Sequence, residues 1–554
     1  MTSRDQNFAV RLSRIPAHGL GLSVDVYSPD LVELAQSLDA AGLPYGYLEI
    51  FRAPESALVN VRRAFPGVRL AYHGEGLWMT QPDWEAAYPA EEERSTAAAH
   101  LAALGASWIN HECASKQLGG YSFGTYLPPL FTEAGARVTA RHVQRLQEHL
   151  DAYFTDDDAP LVLLEIPPLT YFGFGDLSVP AFFRRMIEQA PCGVVLDIGH
   201  VWTIYRYSME WSRRDLSAFL SAFLDDFPLE RVVQIHLAGL GEHERTLPIP
   251  SSFAPARSEP VMSLVDFTRQ APATISPTHP ELAKTNSCPV GRAVSRARAG
   301  QDQLFSRGTG SFPGAPPLWI DAHAAPIPDL LLEMLGQVLA HPRLTSLRGV
   351  ALEVDTKDIR RIVEEYARVR DRFGSCIEAR TQPGDPMAVA DDRSERCIPD
   401  AANEGRDDGA LLAQYRLYAE TVSRPDAAIP DALPAAWLDP DGLRQYRREY
   451  LPHEILRWGG DLEDMFPVTC WDLKAHGISQ TAFVTYWFRE PRAVGQGYDF
   501  FLLKVDGFVN FIAEVLPPSL GTARREAQEL RTAYQAACVQ AGAPATGVAA
   551  GSEQ

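Results

Sequence analysis

The sequence has no Cys-x-x-Cys pair among its seven cysteines, so neither a disulfide framework nor a thiolate zinc site is expected. It also lacks any apolar run near the ~18 residues needed to span a bilayer. Its opening residues, MTSRDQNFAVRLSRIP, contain no apolar core of signal-peptide length. These two absences predict a cytoplasmic protein with no membrane partner. Basic charge is in deficit, with 51 Lys and Arg against 71 Asp and Glu and a net charge of −20. A phosphate backbone would be repelled overall, which disfavours nucleic acid as a partner. No Gly-x-Gly-x-x-Gly opens a helix after a strand. The tract GLGL at 19–22 reads as a barrel strand and not as a dinucleotide fingerprint.

With 554 residues, the chain exceeds what one hydrophobic core organises and should divide into domains. From residue 19 to about 374, short apolar runs alternate with amphipathic stretches, the pattern of parallel strands joined by crossover helices. Eight strands are predicted, at 19–25, 45–51, 69–75, 108–113, 161–167, 193–200, 232–239 and 349–355. Helices are predicted at about 30–41, 54–65, 90–104, 135–155, 178–190, 211–226, 326–340 and 357–372. Near-continuous apolar runs suit strands buried on both faces. The fold class expected is therefore α/β, a (β/α)8 TIM barrel over 1–374, followed by a mostly helical C-terminal domain.

Residues 241–318 interrupt this pattern. They are rich in Pro, Ser, Ala and Gly, carry eight basic and six acidic residues, and show no sustained periodicity. A long insertion of this kind is expected to be a disordered spacer, with a substrate-facing lid as the alternative. Residues 375–410 are polar and small and read as a linker. Helical periodicity and abundant aromatics return over 411–540, read as a separate helical domain, and 541–554 as a disordered tail.

In a TIM barrel the functional site forms at strand C-termini and the loops that follow them. His73, His111, Glu165, Asp197, His200, His236, Glu353 and Asp355 all fall at or near predicted strand ends, and Asp321 and His323 directly precede a helix on the same rim. Buried charges crowded on one rim cost several kcal/mol each unless paired or bound to a cation. One divalent ion takes about four to six ligands, so this set points to more than one ion. Imidazole and carboxylate without thiolate suit iron, zinc or manganese alike. Taken singly, a strand-end histidine is more often a satisfied structural residue, Glu165 could serve a salt bridge, and Asp197-Ile-Gly-His200 could be a capped turn. Those readings weaken because they have to hold at six strand ends together. Glu49 and Glu75 are placed to hydrogen-bond a ligand histidine. Cys113 is expected to be buried and inert, and His100, His142, His149 and His341 to lie on solvated helix faces.

The ordered set YHGEG, INHEC, LLEIPPLTYF, VVLDIGHVW, IHLAG, WIDAHAAPIP and ALEVD resembles the multinuclear non-heme iron-dependent oxidative enzymes, which include the methanobactin-forming oxidase. The resemblance spans about 18–374. It implies a barrel holding two or three irons, in mixed Fe(II)/Fe(III) states, with dioxygen as co-substrate. It also implies a ribosomally made precursor peptide as substrate, often altered at Cys. Carried over by position, the implied iron ligands are His73, His111, Glu165, Asp197, His236, Asp321, His323 and Glu353. The family pattern commonly has Glu-Asn-Pro where this chain has Glu165-Ile166-Pro167, and an Asn pair where it has Gly199-His200, so His200 enters as a substitute ligand. Glu165, Asp355 and Glu75 are the carboxylates expected to serve catalysis. The segment from Gly442 to Phe488 more loosely resembles the small partner proteins that recognise the peptide leader in this family. A fused partner of that kind would make a separate one unnecessary. The competing readings are another metal-dependent TIM barrel, sugar isomerase-like or endonuclease IV-like, and a binding scaffold without catalysis.

Overall fold

A computed structural model describes residues 3–27, 29–154, 159–242, 319–354, 357–382, 401–424, 428–492 and 498–540. The insertion at 243–318, Asp355 and the tail at 541–554 lie outside these residues.

The eight predicted strands form a closed parallel barrel. They are β1 (Gly19–Val24), β2 (Tyr47–Phe51), β3 (Arg69–His73), β4 (Trp108–Glu112), β7 (Leu161–Glu165), β9 (Gly193–Asp197), β10 (Val232–Leu237) and β13 (Gly349–Glu353). Barrel order is β1-β13-β10-β9-β7-β4-β3-β2. Both faces of these strands are closed off, the inner by other strands and the outer by helices, which is why their apolar runs are almost unbroken. Among the described residues, three short pairs lie outside the barrel: β5 (Ser115–Leu118) with β6 (Tyr121–Leu127), β11 (Leu240–Glu242) with β12 (Trp319–Asp321), and β8 (Phe172–Phe174) with β14 (Ala435–Leu438).

The barrel floor is a separate apolar cluster. Phe8, Leu12 and Ile15, on and just after the helix Ser3–Arg14, pack against Tyr47, Trp108, Leu163 and Val233. Above it lies a buried polar layer. Trp108 Nε1 donates to Gln234 Oε1 at 2.8 Å, and Gln234 Nε2 donates to the Tyr47 hydroxyl at 3.1 Å. The floor is therefore sealed, and chemistry is confined to the other end.

Some sequence expectations change in detail. The strand expected over 193–200 stops at Asp197, and a helix, Ile198–Tyr207, begins at once. The reason is capping: Asp197 Oδ1 accepts the His200 backbone N–H at 2.6 Å. His200 thus stands on the first helical turn and not on the strand. The helix Ile359–Thr381 runs beyond residue 374 because Phe373, Ile377 and Thr381 continue its buried stripe at fourfold spacing. Another helix, Ala401–Ser423, already covers the end of the expected linker. His100 and His142 do not face solvent. His100 Nδ1 lies 2.9 Å from the Tyr72 hydroxyl, and His142 Nδ1 lies 2.9 Å from the Met79 carbonyl oxygen, with both residues buried.

The C-terminal region is helical, and it interlocks with the barrel. β14 pairs with β8, and Trp437 packs on Phe131 with ring centroids 5.0 Å apart. The Tyr415 hydroxyl accepts the Leu130 N–H at 3.0 Å, and the Tyr418 hydroxyl donates to the Pro128 carbonyl at 3.2 Å. Trp487 Nε1 donates to the Ser122 carbonyl at 2.6 Å, and the Tyr498 N–H donates to Glu93 Oε1 at 3.0 Å. One continuous apolar cluster runs through both regions.

Candidate metal centre

Side chains alternate along a strand, so residues two apart share a face. Glu49 on β2, His73 on β3, Asn110 and Glu112 on β4, Glu165 on β7, Asp197 on β9, His236 on β10 and Glu353 on β13 all stand two or four residues beyond an inward-facing floor residue or its register partner. They meet at the C-terminal mouth. Glu165, Asp197, His236 and Glu353 form one group whose ligand atoms lie within 4.8 Å of one another, and Asp321, His323 and Glu353 form a second. Glu353 belongs to both.

Within the first group, His236 Nδ1 lies 3.1 Å from Glu165 Oε1 and 3.2 Å from Glu353 Oε1. Its Nε2 lies 2.8 Å from Glu49 Oε2, which also accepts the Ser23 hydroxyl at 2.9 Å. Asn110 Nδ2 donates to Glu165 Oε2 at 2.6 Å. His73 Nε2 stands beside this group, 3.6 Å from Glu165 Oε2 and 3.8 Å from Glu112 Oε2. In the second group, His323 Nε2 lies 3.1 Å from Asp321 Oδ2 and 3.4 Å from Glu353 Oε2. His200 adjoins it, with Nε2 3.7 Å from Asp321 Oδ2 and Nδ1 held 2.6 Å from the Ile166 carbonyl.

Two glycines create this proximity. A Cβ on Gly199 would stand 2.7 Å from Asp321 Oδ1, and one on Gly239 would stand 2.1 Å from the Ala325 carbonyl oxygen. Without side chains there, the segment carrying Asp321 and His323 folds down onto the end of β10.

The charges do not balance by themselves. Among the described residues, six carboxylates (Glu49, Glu112, Glu165, Asp197, Asp321 and Glu353) face four imidazoles (His73, His200, His236 and His323), so with all six ionised two negative charges remain even when every imidazole is protonated. Burial opposes charging His73, but Glu112, Glu165 and Glu49 outweigh it and raise its pKa to about 9. His200 and His236 are raised well above the ordinary value in the same way, burial being outweighed by Asp197 and Asp321 for the first and by Glu165, Glu353 and Glu49 for the second. Burial pushes Asp197 well above the usual carboxylate range, with Asp321, Glu353 and Glu165 adding to it. Glu112 is also raised by burial. Asp197 Oδ2, Asp321 Oδ1 and Glu112 Oε2 are buried with no hydrogen-bond partner among the described residues. Unpartnered buried oxygens amid excess negative charge, with imidazoles interleaved, fit divalent cations well.

His111 is not brought into this cluster. Its Nε2 accepts the Leu77 N–H at 3.1 Å and its Nδ1 lies 2.7 Å from the Glu112 carbonyl oxygen, with burial lowering its pKa to about 4. β4 turns Asn110 and Glu112 inward, so His111 faces the surrounding helices. Period-two alternation from Trp108 carried this signal in the sequence. Glu75 also stands apart. Lys116 Nζ donates to its Oε1 at 2.6 Å, and Arg52 donates to its backbone carbonyl. Burial disfavours the Glu75 carboxylate, but Lys116 and Arg52 hold it below the usual range. Cys113 is buried, and burial raises its thiol pKa. Asp355 lies outside the described residues.

A family model described as "RiPP precursor modification enzyme MbnB/TglH/ChrH" matches residues 44–281. A UPF0276 protein of Paraburkholderia phytofirmans is 30% identical over 288 residues, covering 48% of this chain and 82% of that protein. The chain belongs to the UPF0276 family. A UPF0276 protein of Anaeromyxobacter sp. is 25% identical over 236 residues, covering 42% of this chain and 75% of that protein. Among solved structures, endonuclease IV from Thermus thermophilus has 16% identity and a TM-score of 0.33, covering 65% of this chain and 99% of that one. The span matched by the MbnB/TglH/ChrH model contains Glu49, His73, Glu165, Asp197 and His236 and stops before Asp321, His323 and Glu353. No helix among the described residues is long and apolar enough to cross a membrane.

Proposed function

We propose that this chain uses two or three iron ions and dioxygen to modify a ribosomally made precursor peptide oxidatively, at cysteine. The observation that carries the reading is the pair of ligand groups sharing Glu353, because one carboxylate serving two sets of donors suits adjacent ions. Glu165, Asp197, His236 and Glu353 would hold one ion, and Asp321, His323 and Glu353 a second, with His200 Nε2 at hand beside Asp321. His73 with Glu112 and Glu165 would take a third. Bound iron, cycling between Fe(II) and Fe(III), would supply the one-electron chemistry that no side chain here provides.

The chain's own residues have definable tasks. Asn110 fixes the direction of Glu165 through its 2.6 Å hydrogen bond. Phe51 packs against both imidazoles, stacked on His323 at a centroid distance of 6.2 Å and tilted on His73 at 4.6 Å. Glu75, expected from the sequence to serve catalysis, is kept ionised by Lys116 at 2.6 Å, a pairing that weakens it as a proton acceptor. Lys116 Nζ in turn lies 5.2 Å from the ring centroid of Trp458, an exposed indole contributed by the C-terminal region. That approach supports a role for the C-terminal region in presenting the peptide, as a partner fused in the same chain.

The test is anaerobic loading with Fe(II), followed by oxygen uptake with a short Cys-containing peptide encoded beside the gene. Peptide-dependent oxygen consumption with a mass change on the peptide is expected. A peptide left unchanged, with equal turnover of a sugar phosphate or a nicked duplex, would contradict the reading.

A further inference from the structure

The first ligand group is carried by barrel strands alone, with Glu165, Asp197, His236 and Glu353 on β7, β9, β10 and β13. The second is not. Asp321 ends the short strand β12 and His323 follows it, and among the described residues β12 pairs only with β11. A two-stranded sheet of this size does not hold its own position. Its exit is pinned by the helix Ile359–Thr381, where Glu365 Oε1 accepts the Ile327 N–H at 3.1 Å and Arg368 Nη1 donates to the Ile327 carbonyl at 2.9 Å. Its entry is pinned by Tyr207. The Tyr207 hydroxyl accepts the Trp319 N–H and donates to the Trp319 carbonyl, both at 2.9 Å, as a neighbouring strand would. Tyr207 ends the helix Ile198–Tyr207, about two turns beyond His200, whose Nε2 lies 3.7 Å from Asp321 Oδ2. One helix thus touches the strap at both Trp319 and Asp321.

Tyr207 is in turn seated against residues that the C-terminal region holds in place. Its ring meets that of Tyr171 edge-on with centroids 5.0 Å apart, and both residues are buried. Tyr171 has a φ of 54°, a left-handed conformation that a bulky residue keeps only where its surroundings impose it. The C-terminal region supplies those surroundings. The Asp439 N–H donates to the Tyr171 carbonyl at 3.2 Å, and the Tyr450 ring stacks on Tyr171 at a centroid distance of 6.2 Å. Gly442 lies so close that a Cβ there would stand 2.4 Å from Tyr171 Cδ1. We infer that Tyr207 is a positioning residue for Asp321 and His323, and that Tyr171 transmits to it the seating of the C-terminal region. A region that carries none of these ligands thereby sets the geometry of the second ligand group. Displacing Tyr171 moves the surface on which Tyr207 rests, and with it the hydroxyl that holds Trp319. Asp321 follows only two residues later, about 7 Å along the strand, too short a span to absorb the shift. The first group stands on barrel strands and is off this route. This inference rests on reading the cluster as a metal centre.

The experiment is an equilibrium titration of the full-length, metal-free chain with Co(II) alone, read by its d–d absorption and by competition with a chelator. His323→Ala identifies the spectrum of the second site as the one it removes. Tyr207→Phe keeps the ring and deletes only the hydroxyl, and it should weaken that same site about tenfold while leaving the other site and the stoichiometry unchanged. Gly442→Ala, made in the C-terminal region, should weaken the same site by a smaller factor, and Tyr450→Leu serves should Gly442→Ala fail to fold. Melting of the metal-free proteins separates a general packing role, which would lower stability and leave Co(II) affinity at both sites as it was. Unchanged affinity in Tyr207→Phe overturns the inference while the metal reading stands, and so does equal weakening of both sites. A loss in Tyr207→Phe that neither Gly442→Ala nor Tyr450→Leu reproduces overturns the link to the C-terminal region. A wild-type chain that takes up no Co(II) defeats the metal reading, and the inference with it.

Discussion

Glu353 places its Oε2 3.4 Å from His323 Nε2 while its Oε1 faces the other ligand group. A single carboxylate therefore joins the strand that closes the barrel to a loop that folds down over it. Glu353→Gln is expected to lower the content of two ions together, whereas His323→Ala should lower only one. Elemental analysis after dialysis against a weak chelator reads the difference. Equal, single-ion losses in both variants would show that the carboxylate is not shared.

The inward turn of β4 gives opposite expectations for two adjacent residues. His111→Gln removes two buried hydrogen bonds and should cost roughly 1–3 kcal/mol of stability while leaving metal content unchanged. Glu112→Gln should leave stability nearly unchanged and weaken metal binding near His73. Urea unfolding and metal titration on the two variants separate these effects. Metal loss in His111→Gln without destabilisation would return that imidazole to the ligand set.

Much of the barrel was readable because its strands are apolar runs and five of them, β3, β4, β7, β9 and β13, end on His, Asp or Glu. Glu165, Asp197, His236 and Glu353 could be placed on the rim from those strand ends alone. Glu112 was hidden behind the more conspicuous His111, although alternation from Trp108 assigns the two to opposite faces. The β8–β14 pairing was not readable, since it joins Phe172 to Leu438 across nearly half of the chain and neither segment alternates. The helix through Phe373, Ile377 and Thr381 was masked by the polar composition around it.

Acid should destabilise the fold through histidines remote from the cluster. Burial lowers the pKa of His18, His100 and His142 to about 4 in each case. A histidine depressed below its unfolded value near ~6.5 contributes stability above that pH and loses it as pH falls toward the folded value. Each should cost about 2 kcal/mol by pH 5. Urea midpoints measured between pH 7 and pH 5 should fall steeply, and because His111 is lowered in the same way, His142→Gln should flatten the slope by about a quarter. A slope unchanged by that substitution would contradict the assignment.

Removing residues beyond 382 should damage the barrel as well as any peptide binding. The Phe131 ring loses Trp437, β8 loses β14, and the Leu130 N–H loses the Tyr415 hydroxyl. The truncated chain is expected to melt several degrees lower or to aggregate. A truncation as stable as the full chain, by calorimetry, would establish the barrel as independent and leave the C-terminal region free to act as a detachable partner.

The central claim is that the barrel mouth holds iron at adjacent positions. Elemental analysis of anaerobically purified full-length protein, combined with Mössbauer spectroscopy, tests it most directly. The account predicts at least two iron equivalents per chain, with spectra showing coupled Fe(II) and Fe(III). Stoichiometric zinc in protein made with ample iron, with activity retained after iron chelation, would contradict it.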